Sequence, residues 1–306
     1  MRVTQSMLSN NMLRNLNNSY GKMQRLQDQM NSGTKINRPS QDPVIAVKGM
    51  SYRVDLAKVE QFQRNINEAN TWLDTTDEVL DQAGTQINRV RELLVQAAND
   101  SNTADDREKI KVEIDQIRLQ MKDIANTQIG DKYIFSGTHT SKPLYINGNL
   151  NPDLIGASGL EKDVTIDVYD NIAMKVNTNG LGIFEKLDAV LAKASEALTS
   201  GSATNSASGI SSLIGNMATG ANDTLSGVQN LLLEARADVG ARQNRIELMT
   251  NRLEYQEINI TKQLSLNEDV DYAEAITQMA AAESIHQASL STGAKIIQQT
   301  LVDFMR

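Results

Sequence analysis

From Val59 to Ala97 the chain repeats one pattern without a break: Val59, Phe62, Ile66, Ala69, Leu73, Thr76, Leu80, Ala83, Ile87, Val90, Leu94 and Ala97 follow each other at steps of three and four. That spacing keeps a single stripe of a supercoiled helix facing a partner. A helix from near Val44 to Asn99 would be about 80 Å long at ~1.5 Å per residue, far beyond the average globular helix. The pattern therefore predicts a rod element. A second seam with the same step, Val228, Leu232, Ala235, Val239, Arg242, Ile246, Met249 and Leu253, predicts a partner in the same bundle. Aromatic residues make up 4% of the 306 and there are four prolines, which favours long helices over sheets.

Between the seams the grammar changes. "DSNTADDREKI" breaks the first pattern and restarts it, with Thr103 as N-cap and Asp105 and Asp106 in the first turn, where negative charge suits the helix dipole. A shorter helix follows to about Gln128. From Gly130 to Gly182 short runs ("DKYIFSGT", "KPLYING", "KDVTIDVYD", "IAMKVNTNG") alternate with period two and are punctuated by Pro143, Asn147-Gly148, Pro152 and Asn179-Gly180. They predict a small β-rich insert. Helix returns at "GIFEKLDAVLAKASEAL", and "TSGSATNSASG" reads as a loop or frayed helix.

The ends differ from the middle. Met12, Leu16, Tyr20, Met23, Leu26 and Met30, and Ile276, Met279, Leu290, Ala294, Ile297, Leu301 and Phe304, form stripes too sparse and too Asn/Gln-rich to hold a helix alone. Residues 1–40 carry net charge +5 and residues 265–306 carry −4, which favours pairing of the ends weakly, since exposed pairs contribute about 0–1 kcal/mol each. The expected organisation is a terminal helix over 1–40, a first rod part over 41–129, the insert over 130–182, a second rod part over 183–264, and a terminal helix over 265–306.

Several function classes are disfavoured. A net charge of −8 with no dense Lys/Arg cluster argues against nucleic acid and against an anionic membrane surface. Without cysteine there is no disulfide, thiolate metal site or cysteine nucleophile. The start "MRVTQSMLSNN" lacks the apolar stretch of a signal peptide, and no run is long enough to span a bilayer, so the letters alone suggest a cytoplasmic protein. His139 and His286 lie far apart with no His or Cys neighbour to complete a ligand set. "NEDVDYAEA" opens like a calcium loop at Asn267, Asp269 and Asp271, but Tyr272 stands where glycine is needed and Gln278 where the bidentate glutamate is needed. No phosphate-loop, dinucleotide-binding, zinc-protease or serine-hydrolase motif occurs. The expectation is a protein that is not an enzyme and has no cofactor or metal.

One stretch interrupts the second seam. "ARADVGARQN" (235–244) puts Gly240 inside the helix and Arg242 at a seam position. Glycine there costs about 1 kcal/mol relative to alanine, which suggests a close approach by a neighbouring helix. Arg242 would meet an acidic group across the seam or between copies, or Asp238 one turn earlier. The alternative is a tolerated surface glycine and a snorkelling arginine.

Three stretches carry a family resemblance. "LEARADVGARQNRIELMTNRLEYQ" (233–256) resembles the C-terminal core signature of bacterial flagellins and their junction relatives. "MNSGTKINRPSQDPVIAV" (30–47) is similar to the N-terminal flagellin segment, and the chain from "NEDVDYAEAI" onward resembles the flagellin C-terminal helix. Within that superfamily "DKYIFSGTHTSKPLY" (131–145) resembles the hook–filament junction branch rather than filament flagellins. The resemblance implies a mainly α fold, a long antiparallel helical rod with a small inserted β-rich domain and terminal helices disordered in the monomer. It implies an extracellular subunit of the bacterial flagellum, exported without a cleaved signal peptide, and so reverses the cytoplasmic expectation. Implied partners are hook-associated protein 1, flagellin, other copies in a ring, an export chaperone and the type III export apparatus. Met12, Leu16, Met23, Leu26, Met30, Ile276, Met279, Leu290, Ile297, Leu301 and Phe304 become candidates for polymerisation. Phe62, Ile66, Leu73, Leu80, Ile87, Val239, Gly240, Arg242, Ile246 and Met249 become candidates for rod packing. A filament flagellin, and a helical binding module such as a secretion-needle tip or signalling rod, are the competing readings.

Overall fold

Residue Thr76, a hydroxyl in an otherwise apolar seam, shows how the long helix is built: it is fully buried and donates to the Trp72 carbonyl at 2.7 Å, so its polar atom is satisfied inside its own helix. The computed structural model describes residues 5–99, 103–154, 162–199, 212–215 and 224–303, the side chains of 5, 6, 8 and 295–303 excepted. The long helices among the described residues are α1 (Gln5–Ser32), α2 (Pro43–Ala97), α3 (Ala104–Ala125), α4 (Leu181–Thr199), α5 (Leu225–Glu268) and α6 (Tyr272–Asp303). Helix α2 runs 55 residues, matching the span expected from the seam. The "TSGSATNSASG" stretch lies almost wholly outside the described residues.

The chain divides into two units, residues 60–254 and a terminal unit of Met1–Val59 with Tyr255–Arg306. In the first, α2 and α5 run antiparallel. Arg236 reaches Asp77 (3.0 Å) and Asp81 (2.6 Å), Gln243 donates to Asp74 (2.8 Å), and Gln229 to Asn88 (3.2 Å). Between these polar ties lie Ile66, Leu73, Leu80, Ile87, Leu232, Val239 and Ile246, each at most 2% exposed. Helix α3 starts with a reciprocal capping box: the Thr103 hydroxyl accepts from the Asp106 amide, and the Asp106 carboxylate accepts from the Thr103 amide. It packs on α4, where Arg118 forks onto both Asp188 oxygens at 2.6 and 2.9 Å and Lys122 adds a 3.1 Å contact.

Among its described residues the insert holds three separate antiparallel hairpins rather than one sheet: β1 (Gln128–Ile129) with β2 (Lys132–Tyr133), β3 (Tyr145–Ile146) with β4 (Asn149–Leu150), and β5 (Thr165–Tyr169) with β6 (Ile172–Lys175). Two-stranded hairpins are marginal alone and need something to pack on. Here the helices supply it. Tyr169 stacks on Phe62 of α2 at 6.0 Å and lies under Arg252 of α5 at 4.3 Å, while Asn65 donates to the Asp167 carbonyl at 2.7 Å. Ile134, Phe135 and Ser136 of the "YIFSGT" motif are fully buried, with Phe135 edge-on to Phe184 of α4 at 4.9 Å. A Cβ at Gly180 would lie 2.3 Å from the Phe135 Cβ, so only glycine lets the chain pass there.

Candidate assembly surface

The terminal unit is organised around the corner between α5 and α6. Asp271 caps α6, accepting from Ala273 at 2.9 Å, and Asp42 caps α2, accepting from Val44 at 2.9 Å with Pro43 in the first helical position. The loop between α1 and α2 is tied to that corner. Lys35 donates its amide to the Glu268 carbonyl at 2.6 Å, Val270 donates to the Gly33 carbonyl at 3.0 Å, and Thr34 bridges Asp269. Lys35 Nζ reaches the Leu266 carbonyl at 2.7 Å, and Asn267 donates to the Ile45 carbonyl at 3.0 Å. The Glu268 carboxylate, almost buried, pairs with Arg53 at 2.5 Å and lies flat over Gly49, where a Cβ would sit 1.8 Å from its Oε1.

Beyond the corner α1 and α6 pack on each other. On α1 the facing residues are Met12, Leu16, Met23, Leu26 and Met30, all half-buried. On α6 they are Ala275, Met279, His286 and Gly293, of which Ala275 and Gly293 are buried. Gly293 admits Met12: a Cβ there would lie 1.7 Å from the Met12 Cε. Tyr20 and His286 meet with ring centroids 6.2 Å apart. Ile276 and Leu290 do not join this seam; they face outward, 53% and 49% exposed. The side chains of Ile297 and Leu301, and Phe304 altogether, lie outside the described residues. A groove of about 500 Å³ runs along the pair, lined by Asn11, Met12 and Asn15 on one side and Ile285, Ala288, Ser289 and Thr292 on the other.

The two units differ in where their apolar surface goes. Among the described residues 42 apolar ones are buried, and of these Val59, Ile260 and Ala275 belong to the terminal unit. Of the 20 exposed large apolar side chains among the described residues, 14 do. Isolated exposed apolar residues are ordinary, but a whole unit with this ratio is a candidate interaction surface.

Among the rod candidates Ile66, Leu73, Leu80, Ile87, Val239 and Ile246 are buried, and Phe62 and Met249 are half-buried. Gly240 corrects the close-approach expectation: among the described residues nothing lies within 4 Å of where its Cβ would be, so no described helix uses the gap. Arg242 pairs with Asp238 and donates to the Asn177 carbonyl at 2.8 Å, fastening the chain after β6 to α5. Sequence reasoning overlooked Arg236, in the same stretch, which does span the seam; its hydrogen bond to Asp77 raises its pKa. The signal available was the i, i+4 pair Asp77 and Asp81 on one face of α2. Burial raises the Asp188 carboxyl, but hydrogen bonds from Arg118 and Lys122 outweigh it, and the net pKa is lowered. Burial pushes the neighbouring Tyr145 phenol up. Among the described residues no group of acidic and histidine side chains is placed to hold a metal, and no helix is long and apolar enough to cross a membrane.

Comparison with known proteins gives two family matches: the bacterial flagellin N-terminal helical region over residues 3–140 and the bacterial flagellin C-terminal helical region over residues 224–305. The flagellar hook-associated protein 3 of Escherichia coli strain K12 is 26% identical over 309 residues, covering 94% of this chain and 95% of the relative. The flagellin of Bacillus subtilis strain 168 is 24% identical over 316 residues, covering 98% and 97%. Among solved structures, the flagellar hook associated protein-3 of Legionella pneumophila superposes with a TM-score of 0.59 at 14% identity, over 71% of this chain and 98% of that one. Bacillus cereus FlgL superposes at 0.56 with 24% identity, over 70% and 99%. These likenesses establish the fold.

Proposed function

The chain belongs to the bacterial flagellin family, and from that premise we propose that it is a structural, non-enzymatic subunit of the flagellum, forming the junction between hook and filament. In this reading it binds hook-associated protein 1 on one side and flagellin on the other, packs against its own copies in a ring, and reaches the cell exterior through the type III export apparatus with a chaperone. The observation that carries the assembly role is the terminal unit, which among the described residues holds 14 of the 20 exposed large apolar side chains and three of the 42 buried apolar ones. Copies that cover Ile276, Leu290, Leu13 and Tyr20 on each other would remove that surface from water at about 25 cal/mol per Å². The candidate polymerisation residues divide accordingly: Met12, Leu16, Met23, Leu26, Met30 and Met279 hold α1 to α6, while Ile276 and Leu290 face a neighbour.

The junction reading is supported over filament flagellin by the small insert, whose core is the buried "YIF" of the motif, and by the near full-length match to hook-associated protein 3. The full-length match to Bacillus subtilis flagellin keeps the second reading in play. Labelled protein on sheared flagella separates them. A single spot at the hook end is the expected result; label along the whole filament would transfer the chain to the flagellins.

A further inference from the structure

The sequence holds two Asn-Gly pairs, Asn147-Gly148 and Asn179-Gly180, and the fold treats them in opposite ways. We propose that Asn147 is a site of spontaneous covalent modification in the folded protein, by intramolecular deamidation with water as the co-reactant, and that Asn179 is protected from it.

The reaction needs the amide nitrogen of the following residue to reach the asparagine carboxamide carbon. That nitrogen, after losing its proton to solvent base, bonds to Cγ; the carboxamide nitrogen leaves as ammonia, and a five-membered succinimide remains. Water then opens either carbonyl, leaving aspartate or a β-linked isoaspartate. No electrons are transferred, and the net change is one water consumed and one ammonia released.

Asn147 and Gly148 are the two central residues of the β3–β4 turn, with φ of 50° and 78°, the left-handed pair of a type I′ hairpin. Asn147 is exposed, and its carboxamide has no hydrogen-bond partner among the described residues. Nothing lies within 4 Å of the place a Cβ would take on Gly148, so both reacting groups have room to turn. Asn179 is exposed too, but it is outside the left-handed region and differs in its hydrogen bonding and in the room around its glycine. Its Oδ1 accepts from the Leu181 amide at 3.1 Å as α4 begins. Gly180 is buried against Phe135, where a Cβ would lie 2.3 Å from the Phe135 Cβ, so its backbone cannot swing toward the carboxamide.

Conversion would also be felt locally. The Gly148 carbonyl accepts from Lys122 Nζ at 2.5 Å. An isoaspartate adds one carbon to the main chain of a two-residue turn, which displaces that carbonyl and the Tyr145↔Leu150 register with it.

The full chain, kept folded in mildly alkaline buffer, is sampled over time, digested, and the two Asn-Gly peptides are followed by mass spectrometry with an isoaspartate-specific label. A parallel sample is kept in denaturant, and Trp72 fluorescence reports that the first sample stays folded. The expected result is conversion at 147 with 179 intact in the folded chain, and comparable conversion at both in denaturant. Asn147→Gln should abolish the label at that peptide while leaving the helical circular dichroism unchanged. Conversion at 179 as fast as at 147 in the folded chain, or an intact 147 there while the denatured chain converts, would overturn the proposal.

Discussion

Replacing Gly240 by alanine should stabilise the protein. The position lies inside α5, one residue after the buried Val239 of the α2–α5 seam, and pays the backbone entropy of glycine in a helix. Alanine recovers about 1 kcal/mol of helix propensity. No steric term opposes it, because nothing stands within 4 Å of the new methyl group, and Gly240 is not among the glycines with positive φ. For a unit of this size about 1 kcal/mol corresponds to a rise in Tm of roughly 2–4 °C. Trp72, buried on α2 in the same unit, gives an intrinsic fluorescence signal for the melt, to be read beside helical circular dichroism. A Tm that falls would mean that a neighbouring segment does crowd Gly240 in solution, and the account of the gap would be wrong. If the more stable variant then fails to assemble, the gap serves contact with another copy.

Leu80→Ala should destabilise the 60–254 unit by about 2–5 kcal/mol, because Leu80 is fully buried mid-seam, whereas Leu290→Ala should change monomer melting by no more than about 0.5 kcal/mol; paired denaturant titrations compare them. Limited proteolysis of the monomer should cut first within 1–40 or 265–306, and first cuts inside 60–98 would contradict the weak, surface-exposed packing of the terminal helices. Asp188→Asn should cost about 1.5–3 kcal/mol near neutral pH by weakening the fork to Arg118 and the contact to Lys122. Because the folded-state pKa of Asp188 is lowered, its contribution is complete above the unfolded value of about 3.9 and disappears as pH falls through the lower folded value. The gap in urea midpoint between wild type and variant should therefore close only below about pH 4.

Much of the fold could be read from the letters because long helices announce themselves by period. The α2 seam, the Thr103 cap and the turn at Asn147-Gly148 all appear where local chemistry predicts them. Asn179-Gly180, the same dipeptide, proved to be the entry to α4, since a dipeptide records a permitted backbone and is silent about the element it leads into. The seam of the terminal helices was harder. Hydrophobic letters mark surface that will be covered without saying by what, so Ile276 and Leu290 stand in one stripe with Met279 although they face outward, while contacts to α1 fall on His286 and Gly293. Small residues that permit close approach carry no hydrophobic signal. Gly240 failed in the opposite sense: a glycine in a helix suggested a contact, and there is none among the described residues.

The corner where Lys35 meets Glu268 has a thermodynamic consequence for the chain ends. Helices α1 and α6 leave that corner side by side, joined by the hydrogen bonds of Gly33, Lys35 and Val270. Each helix is thus presented to the other at the effective concentration of a short tether, millimolar or above. A pairing too weak to hold two separate peptides becomes favourable within one chain, and exchange of arms between copies must compete against that local concentration. Substitutions that loosen the backbone hydrogen bonds of the corner would therefore release both ends at once, although neither helix is itself altered.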